Sequence, residues 1–190
     1  MSKTGWYHRS MPKQPVIVIH GGAGSKTPTG EKRARLSSSL ERVISEVYRD
    51  LTRGVSAERA AVRAVELLEN DDLYNAGKGS KIQSDGRIRM SAALMRGDVQ
   101  KFSACLNVEG VKNPIKLARE LSAQEFRVLA GAGASRFARE NKLDFASPFT
   151  DRARRHFQTQ KSKFGTVGAV ALDSKGRLAA ATSTGGRGYE

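Results

Sequence analysis

The residues that are best suited to a chemical reaction are Gly165 and Thr166, where a polar, basic stretch is followed by an apolar strand. If the bond between them were cut, Thr166 would carry a free α-amine beside its own hydroxyl. A terminal amine has an unperturbed pKa of about 8, so it can accept the hydroxyl proton at neutral pH. This nucleophile–base pair needs no histidine. Threonine is also a common strand residue, so the dipeptide alone leaves both interpretations open.

Other reactive groups form weaker patterns. The turn His20 to Gly24 follows an apolar run and could bind phosphate, but neither a P-loop nor a GxGxxG spacing follows. A turn where backbones pack closely is therefore favoured. Cys105 is the one cysteine, and its apolar surroundings favour a buried hydrophobe over a thiol nucleophile. The three histidines and Cys105 show no metal-ligand spacing.

The chain has 190 residues and a net charge of +14, a size that suits one domain with its own core. Such a charge raises the prospect of a nucleic-acid partner. However, Lys and Arg are scattered from Lys3 to Arg187, which argues for solvated faces instead. With no apolar signal segment and no membrane-length apolar stretch, we expect a cytoplasmic protein without a membrane partner.

The elements that must position these groups follow from apolar spacing. Residues 16–19 are a β-branched run, which predicts a strand buried on both faces. Helices are predicted over 40–51, from an N-cap at Ser56 to 68, over 113–121 and over 131–142. Further strands are predicted over 87–95, 102–108, 166–172 and 177–182. Residues 146–165 lack periodicity and predict a mobile linker. Hairpins outnumber βαβ units, so the class is α+β with a largely antiparallel sheet.

Five motifs occur together in one order: VIHGGAG at 18–24, LYNAGKGS at 73–80, NPIKLAR at 113–119, LAGAGASRFARE at 129–140 and GTVGAVALDSKGRLAAATSTGG at 165–186. With them the chain resembles the isoaspartyl peptidase/L-asparaginase family, the plant-type asparaginases of the Ntn-hydrolase superfamily. The resemblance implies a four-layer αββα sandwich whose precursor cuts itself at the Gly-Thr bond. It also implies α/β heterodimers that pair into a dimer of heterodimers.

The resemblance gives roles to particular residues. Gly165 would end the α subunit, and Thr166 would be the nucleophile that begins the β subunit. Thr184 matches a threonine that tunes the nucleophile, and Asn75 matches an active-site asparagine. The supporting residues are Thr182, Gly21 and Gly22. The resemblance also implies a structural sodium ion, held by backbone carbonyls of Leu68, Glu69, Asp71, Tyr74, Ala76 and Lys78, and no cofactor for catalysis.

The implied substrates are small molecules, L-asparagine and β-aspartyl (isoaspartyl) dipeptides, hydrolysed through an acyl-enzyme on Thr166. Relatives continue beyond the STGG run into a Gly-Arg-Val-x-Asp segment that binds the substrate. We therefore expect a single incomplete domain, with 1–165 as the α-subunit region and 166–190 as the start of the β subunit, inactive alone. The alternatives are a glycosylasparaginase-like hydrolase and a non-catalytic basic fragment that binds a partner or nucleic acid.

Overall fold

The structure is a computed structural model that describes residues 13–23, 28–158 and 165–186. Parts of two predicted segments, 159–164 of the linker and 187–190 of the β-subunit region, lie outside these residues. The described strands are β1 Val16–His20, β2 Met90–Arg96, β3 Lys101–Val108, β4 Val128–Ala130, β5 Val167–Leu172 and β6 Leu178–Thr184. The described helices are α1 Gly30–Thr52, α2 Ala57–Glu69, α3 Pro114–Leu121, α4 Gly131–Glu140 and α5 Asp151–Gln158.

The strands form one sheet in the order β1-β5-β6-β2-β3-β4. Every pairing is antiparallel except that of β3 with β4. The predicted mixed class with a largely antiparallel sheet is therefore confirmed. Because β5 and β6 are neighbours in the middle of the sheet, the two ends of the long GTVGAVALDSKGRLAAATSTGG motif lie side by side.

Helices cover one face of this sheet. Apolar side chains of α1 to α4 share one core with the inward positions of the strands, among them Val65, Leu94 and Val167. Helix α2 lies over β5 and β6, while α3 lies over β2 and β3. In the part of the chain that the structure describes, no helix is both long and apolar enough to cross a membrane.

The local signals explain the helix boundaries. The Ser56 hydroxyl accepts a hydrogen bond from the Arg59 N–H, so the predicted N-cap of α2 is confirmed. Pro114 occupies the first turn of α3, where its missing N–H carries no penalty. Helix α1 begins at Gly30, ten residues before the predicted start. The prediction missed these residues because the first turns of the helix are polar and exposed, so they show no apolar periodicity. Helix α5 lies inside the segment predicted to be an irregular linker. Most of its residues are polar or charged, so the segment lacks an apolar periodicity.

Exposed side chains on the other face of the sheet show that the predicted burial of β1 was wrong. Residues 16–19 were predicted to be buried on both faces, but Val18 is 63% exposed and its neighbour Val170 on β5 is 49% exposed. Val18 and Val170 begin a row of paired residues across the sheet. This row continues through Ala180 and Met95 to Phe102, which are also exposed. The prediction was wrong because helices in the described residues cover only the opposite face. We call this exposed apolar surface the open face.

The turn between β5 and β6 is built around a buried carboxylate, that of Asp173. One oxygen accepts from the Lys175 and Arg177 N–H groups at 3.0 Å each. The other accepts from the Ala57 N–H at 3.1 Å, at the start of α2, and from the Arg177 side chain at 2.7 Å. Burial alone would raise the pKa of Asp173, but these donors outweigh it and lower the pKa below the ordinary 3.8.

We expect Asp173→Ala to lower the free energy of unfolding at pH 7 by roughly 3 kcal/mol, since it leaves buried N–H groups unpaired. Because the folded pKa is lowered, this contribution is present above the ordinary carboxyl pKa and is lost as the pH falls through the folded value. Urea unfolding at pH 7 and pH 3 should therefore show a smaller difference from the wild type at pH 3. The control Asp98→Ala removes an exposed ion pair with Arg96 and should cost less than about 1 kcal/mol.

Candidate active site

Asn75 is presented by the loop that follows α2. The loop packs tightly because Gly77 has a φ of +52° and lies directly against the backbone of Glu69. The N–H of Gly185 donates to the Asn75 carbonyl at 2.9 Å and ties the loop to the end of β6. The Asn75 amide oxygen accepts from the Lys81 N–H at 3.1 Å. That contact orients the side chain, so its NH₂ group faces β5.

Thr166 and Thr184 come together because β5 and β6 are antiparallel neighbours. Val167 pairs with Ser183, so the next residue outward on each strand is one of these threonines. The Thr166 hydroxyl donates to the Thr184 hydroxyl at 3.2 Å. Both side chains are half-buried. Because side chains alternate along β6, Thr184 lies on the same side of the sheet as the open face. The sheet register therefore brings together two groups that lie 18 residues apart in the chain.

The carbonyl of Gly165 is the focus of the site. It accepts a hydrogen bond from the Asn75 Nδ2 group at 2.9 Å and another from the Thr184 hydroxyl at 3.3 Å. Asn75 Nδ2 also donates to the Gly186 carbonyl at 2.9 Å. Two donors on one carbonyl oxygen polarise it and would stabilise negative charge developing there. The arrangement can therefore support attack on the Gly165 carbonyl carbon.

The predicted supporting residues have separate roles. Gly22, with φ +104°, lies so close to the Gly165–Thr166 bond that a Cβ atom would be 3.0 Å from the Gly165 Cα and from the Thr166 nitrogen. Gly21 instead packs against the ring of Tyr74. The Thr182 hydroxyl donates to the Val167 carbonyl at 3.0 Å. Gly22 thus contacts the Gly165–Thr166 bond, whereas Thr182 makes a hydrogen bond to β5, the strand that follows this bond.

Comparisons with known proteins identify the family of the chain. A family model described as asparaginase matches residues 13–163 and 148–190. The chain belongs to the isoaspartyl peptidase/L-asparaginase family. An isoaspartyl peptidase/L-asparaginase of Synechocystis sp. is 42% identical over 93% of this chain and 59% of its own length. Its counterpart in Nostoc sp. is 40% identical over 93% of this chain and 63% of its own. A plant-type L-asparaginase of Pyrobaculum calidifontis is 38% identical over 90% and 62%.

The chain spans about three fifths of the length of these asparaginase relatives. The matched part includes all the residues that the structure brings to the Gly165 carbonyl. The family resemblance inferred from the motifs is therefore confirmed.

The loop assigned to a sodium ion is tightly curled. The carbonyl oxygens of Glu69, Asp72 and Tyr74 crowd the places where Gly77 or Gly79 would carry a Cβ atom. Other predicted ligand carbonyls accept backbone hydrogen bonds, such as that of Ala76 from the Gly79 N–H at 3.1 Å. In the described parts of the chain, no cluster of three or more His, Cys, Asp or Glu residues could hold a metal ion. The predicted sodium ligands are backbone carbonyl oxygens, a different kind of donor.

Cys105 is fully buried on β3, as its apolar surroundings predicted. Its thiol donates to the Pro114 carbonyl at 3.3 Å, and burial raises its pKa to about 12. A thiol with such a pKa is protonated at neutral pH and is a poor nucleophile.

We expect Cys105→Ser to leave the chemistry of the site unchanged, because serine keeps the hydrogen-bond donor toward Pro114. In the folded wild-type protein, a thiol reagent such as Ellman's reagent should react only after denaturant is added. Rapid labelling of the folded chain, or loss of turnover in a stably folded serine variant, would contradict this assignment.

One buried side chain near the site, that of Glu69, was not predicted from the sequence. Glu69 was assigned only a backbone role, yet its side chain is completely buried. Burial raises the pKa of its carboxyl to about 8, against the opposing effects of Ser183, the Ile115 N–H and Asn113. The sequence does contain a signal for this burial. Glu69 follows Val65 by four residues and so lies on the inward face of α2.

Proposed function

We propose that this chain carries the self-cleavage centre of an autoprocessing N-terminal-threonine amidohydrolase that acts on L-asparagine and β-aspartyl dipeptides. The observation that carries the proposal is the pair of donors on the Gly165 carbonyl, from Asn75 and Thr184, next to the Thr166 hydroxyl. The names of the relatives, isoaspartyl peptidase and L-asparaginase, support the substrate class. They favour this activity over that of a glycosylasparaginase.

Self-cleavage would begin with attack of the Thr166 oxygen on the Gly165 carbonyl carbon. Asn75 and Thr184 stabilise the oxyanion that forms. The Thr166 hydroxyl proton is transferred to the departing Thr166 nitrogen as the C–N bond breaks, while Thr184 keeps its own proton in the hydrogen bond to the Gly165 oxygen. An ester between Gly165 and the Thr166 side chain results. Water hydrolyses this ester and leaves a carboxylate on Gly165 and a free amine and hydroxyl on Thr166.

Hydrolysis of substrate would reuse the same groups. The freed α-amine accepts the Thr166 hydroxyl proton, and the oxygen attacks the side-chain carbonyl of the aspartyl group. Ammonia leaves from asparagine, and an amino acid leaves from a β-aspartyl dipeptide. Water then hydrolyses the acyl-enzyme and regenerates Thr166. Departure of Gly165 on cleavage frees Asn75 Nδ2 to donate to the new oxyanion.

The open face supports the four-layer fold that the family resemblance implies. Its row of exposed apolar residues, from Val18 through Val170 to Phe102, is typical of a sheet surface that packs against another sheet. A second sheet on this face, backed by its own helices, would complete the αββα sandwich. Thr184 would then lie between the two sheets, and the cleaved subunits would remain associated as α/β heterodimers that pair.

The loop over residues 68–78 is proposed to hold the structural sodium ion. Carbonyl oxygens are the hard ligands that such a cation prefers. The proposal is supported by the tight packing of two of the predicted ligand carbonyls in this loop, that of Glu69 against Gly77 and that of Tyr74 against Gly79. The ion would hold the loop that carries Asn75 and would take no part in the chemistry.

Intact mass spectrometry of the purified chain tests the proposal. After incubation at neutral pH, we expect two fragments that separate between Gly165 and Thr166, and N-terminal sequencing of the smaller one should begin at threonine. The control is the same chain incubated in denaturant, which should stay intact because the geometry at the carbonyl is lost. A folded chain that remains uncut for days, or is cut elsewhere, would contradict self-cleavage by these residues.

The substrate class is tested with two dipeptides of identical composition, one β-aspartyl and one α-aspartyl. Release of the free amino acid from the β-linked dipeptide alone, together with ammonia from L-asparagine, is the expected result for a cleaved protein of the relatives' full length, whereas the 190-residue chain alone is expected to be inactive. Equal hydrolysis of both dipeptides would contradict the proposed specificity.

A further inference from the structure

Strand β6 is followed by two glycines, Gly185 and Gly186, whose backbone contacts both donors to the Gly165 carbonyl. Gly186 has a φ of +74°, in the left-handed region that favours glycine, so the chain turns directly after the strand. The turn brings the Gly186 N–H to the Thr184 hydroxyl and the Gly186 carbonyl to the Asn75 side chain. We call residues 185–186 the glycine turn.

The orientation of the Thr184 hydroxyl follows from its three contacts. A hydroxyl has one proton to donate and two lone pairs that accept. The Gly165 carbonyl can only accept, so the Thr184 proton occupies the 3.3 Å contact with that oxygen. The lone pairs then accept from the Thr166 hydroxyl and from the Gly186 N–H, each at 3.2 Å. The Gly186 N–H therefore favours the orientation in which the Thr184 proton faces the Gly165 oxygen.

The Asn75 carboxamide is held by the same turn. Its NH₂ group has two N–H bonds, and these donate to the Gly165 and Gly186 carbonyls at 2.9 Å each. Because the carboxamide is planar, the bond to Gly186 fixes the direction of the N–H that points to Gly165. The Gly185 N–H donates to the backbone carbonyl of Asn75 at 2.9 Å. The glycine turn thus holds Asn75 by its side chain and by its backbone.

This close approach requires a glycine at position 185. A Cβ atom there would lie 2.5 Å from the Ser80 Cβ and 2.7 Å from Asn75 Oδ1. Ser80 is completely buried, so it has little room to move aside. A side chain at position 185 would therefore displace the Asn75 carboxamide from the Gly165 carbonyl.

We propose that the glycine turn is the positioning element of the cleavage site, in which the Gly186 N–H orients the Thr184 hydroxyl and the Gly186 carbonyl orients the Asn75 carboxamide. Both donors then point to one oxygen, that of Gly165. The consequence for cleavage rests on the proposed function. The orientation of the two side chains does not, because it concerns only hydrogen bonds in the folded chain.

Gly185→Ala in the 190-residue chain tests the steric part of the proposal, with Gly97→Ala as the matched control. A Cβ at Gly97 would be similarly crowded, 2.8 Å from the Leu178 carbonyl oxygen, but at the other end of β6. Gly185→Ala should slow cleavage after Gly165 by about tenfold or more, because it misplaces a donor. Folded Gly97→Ala should cleave at the wild-type rate although its melting temperature is lowered. Equal slowing in the two variants would overturn the proposal.

Replacing the Gly186 peptide N–H by an ester oxygen removes the donor to Thr184 without adding a side chain. The matched control is the same replacement at Gly176, which has a φ of +77° and an N–H that donates to the Asp173 carbonyl at 2.8 Å. We expect the ester at 186 to slow cleavage by about tenfold or more. The ester at 176 should lower the melting temperature and leave the rate unchanged. Cleavage of the folded 186 ester at the wild-type rate would overturn the proposal.

NMR of the uncut chain separates this proposal from the proposed function. In the wild type, the Asn75 NH₂ protons should exchange slowly with solvent, and scalar couplings should show one Thr184 side-chain rotamer. Gly185→Ala should speed the Asn75 exchange, the Gly186 ester should give averaged Thr184 couplings, and Gly97→Ala should change neither. If these changes appear but the wild-type chain never cleaves, the proposed function fails and the positioning role stands. If neither signal changes in the folded variants, the positioning role is overturned.

Discussion

Thr166→Ala is expected to abolish self-cleavage and, in a protein of the relatives' full length, hydrolysis of L-asparagine. The substitution removes the hydroxyl that donates to Thr184 at 3.2 Å, whose oxygen is the proposed nucleophile. Loss of a nucleophile commonly lowers turnover by about 10⁴-fold to 10⁶-fold. The measurement is the cleaved fraction by intact mass at fixed times, followed by ammonia release. Thr166→Ser keeps the oxygen and should cleave measurably, though more slowly.

The matched control is Thr52→Ala at the end of α1, an exposed threonine whose hydroxyl donates to the Arg49 carbonyl at 2.8 Å. This variant should cleave at the wild-type rate. Cleavage between Gly165 and residue 166 in the alanine variant, or turnover by it, would refute the assignment of Thr166 as the nucleophile.

Gly79→Ala is expected to be the most destabilising of the glycine substitutions that we compare. An added Cβ would overlap the carbonyl oxygen of Tyr74 and lie 2.8 Å from that of Asp72. Both neighbours are backbone atoms in a tightly curled loop, so relief requires the loop to move. We expect a loss of roughly 3 kcal/mol or more in the free energy of unfolding, measured with urea.

The same movement would displace Asn75, so the folded fraction of Gly79→Ala should also cleave more slowly. Gly133→Ala is the control, because a Cβ at this position in α4 meets nothing within 4 Å. Alanine is the better helix former and should stabilise by about 0.5–1 kcal/mol. Equal stabilities for the two variants would show that the loop around Gly79 is not tightly packed.

Local signals predicted the elements that depend on neighbouring residues. Helix α2 was placed from the Ser56 cap and an apolar stripe, and both features act within a few residues of the chain. The early start of α1 and the existence of α5 were missed because those turns are polar, and polar turns carry no periodic apolar signal. The predicted burial of β1 on both faces was also wrong, because an apolar run does not specify which elements pack on each face of a strand.

For the candidate site, the sequence by itself determined the residue types and the motifs that carry them. Asn75, Gly165 and Thr184 were each recognised from a short segment. Their meeting at one carbonyl was decided only by the tertiary structure, because 90 residues separate Asn75 from Gly165 and the β5–β6 register sets the threonine pair. The hydrogen bond from the Ile115 N–H to the Glu69 carboxyl likewise depends on the packing of α2 beside α3. Hydrogen bonds of this kind join groups that are distant in the chain, and only the packed sheet and helices bring those groups within reach.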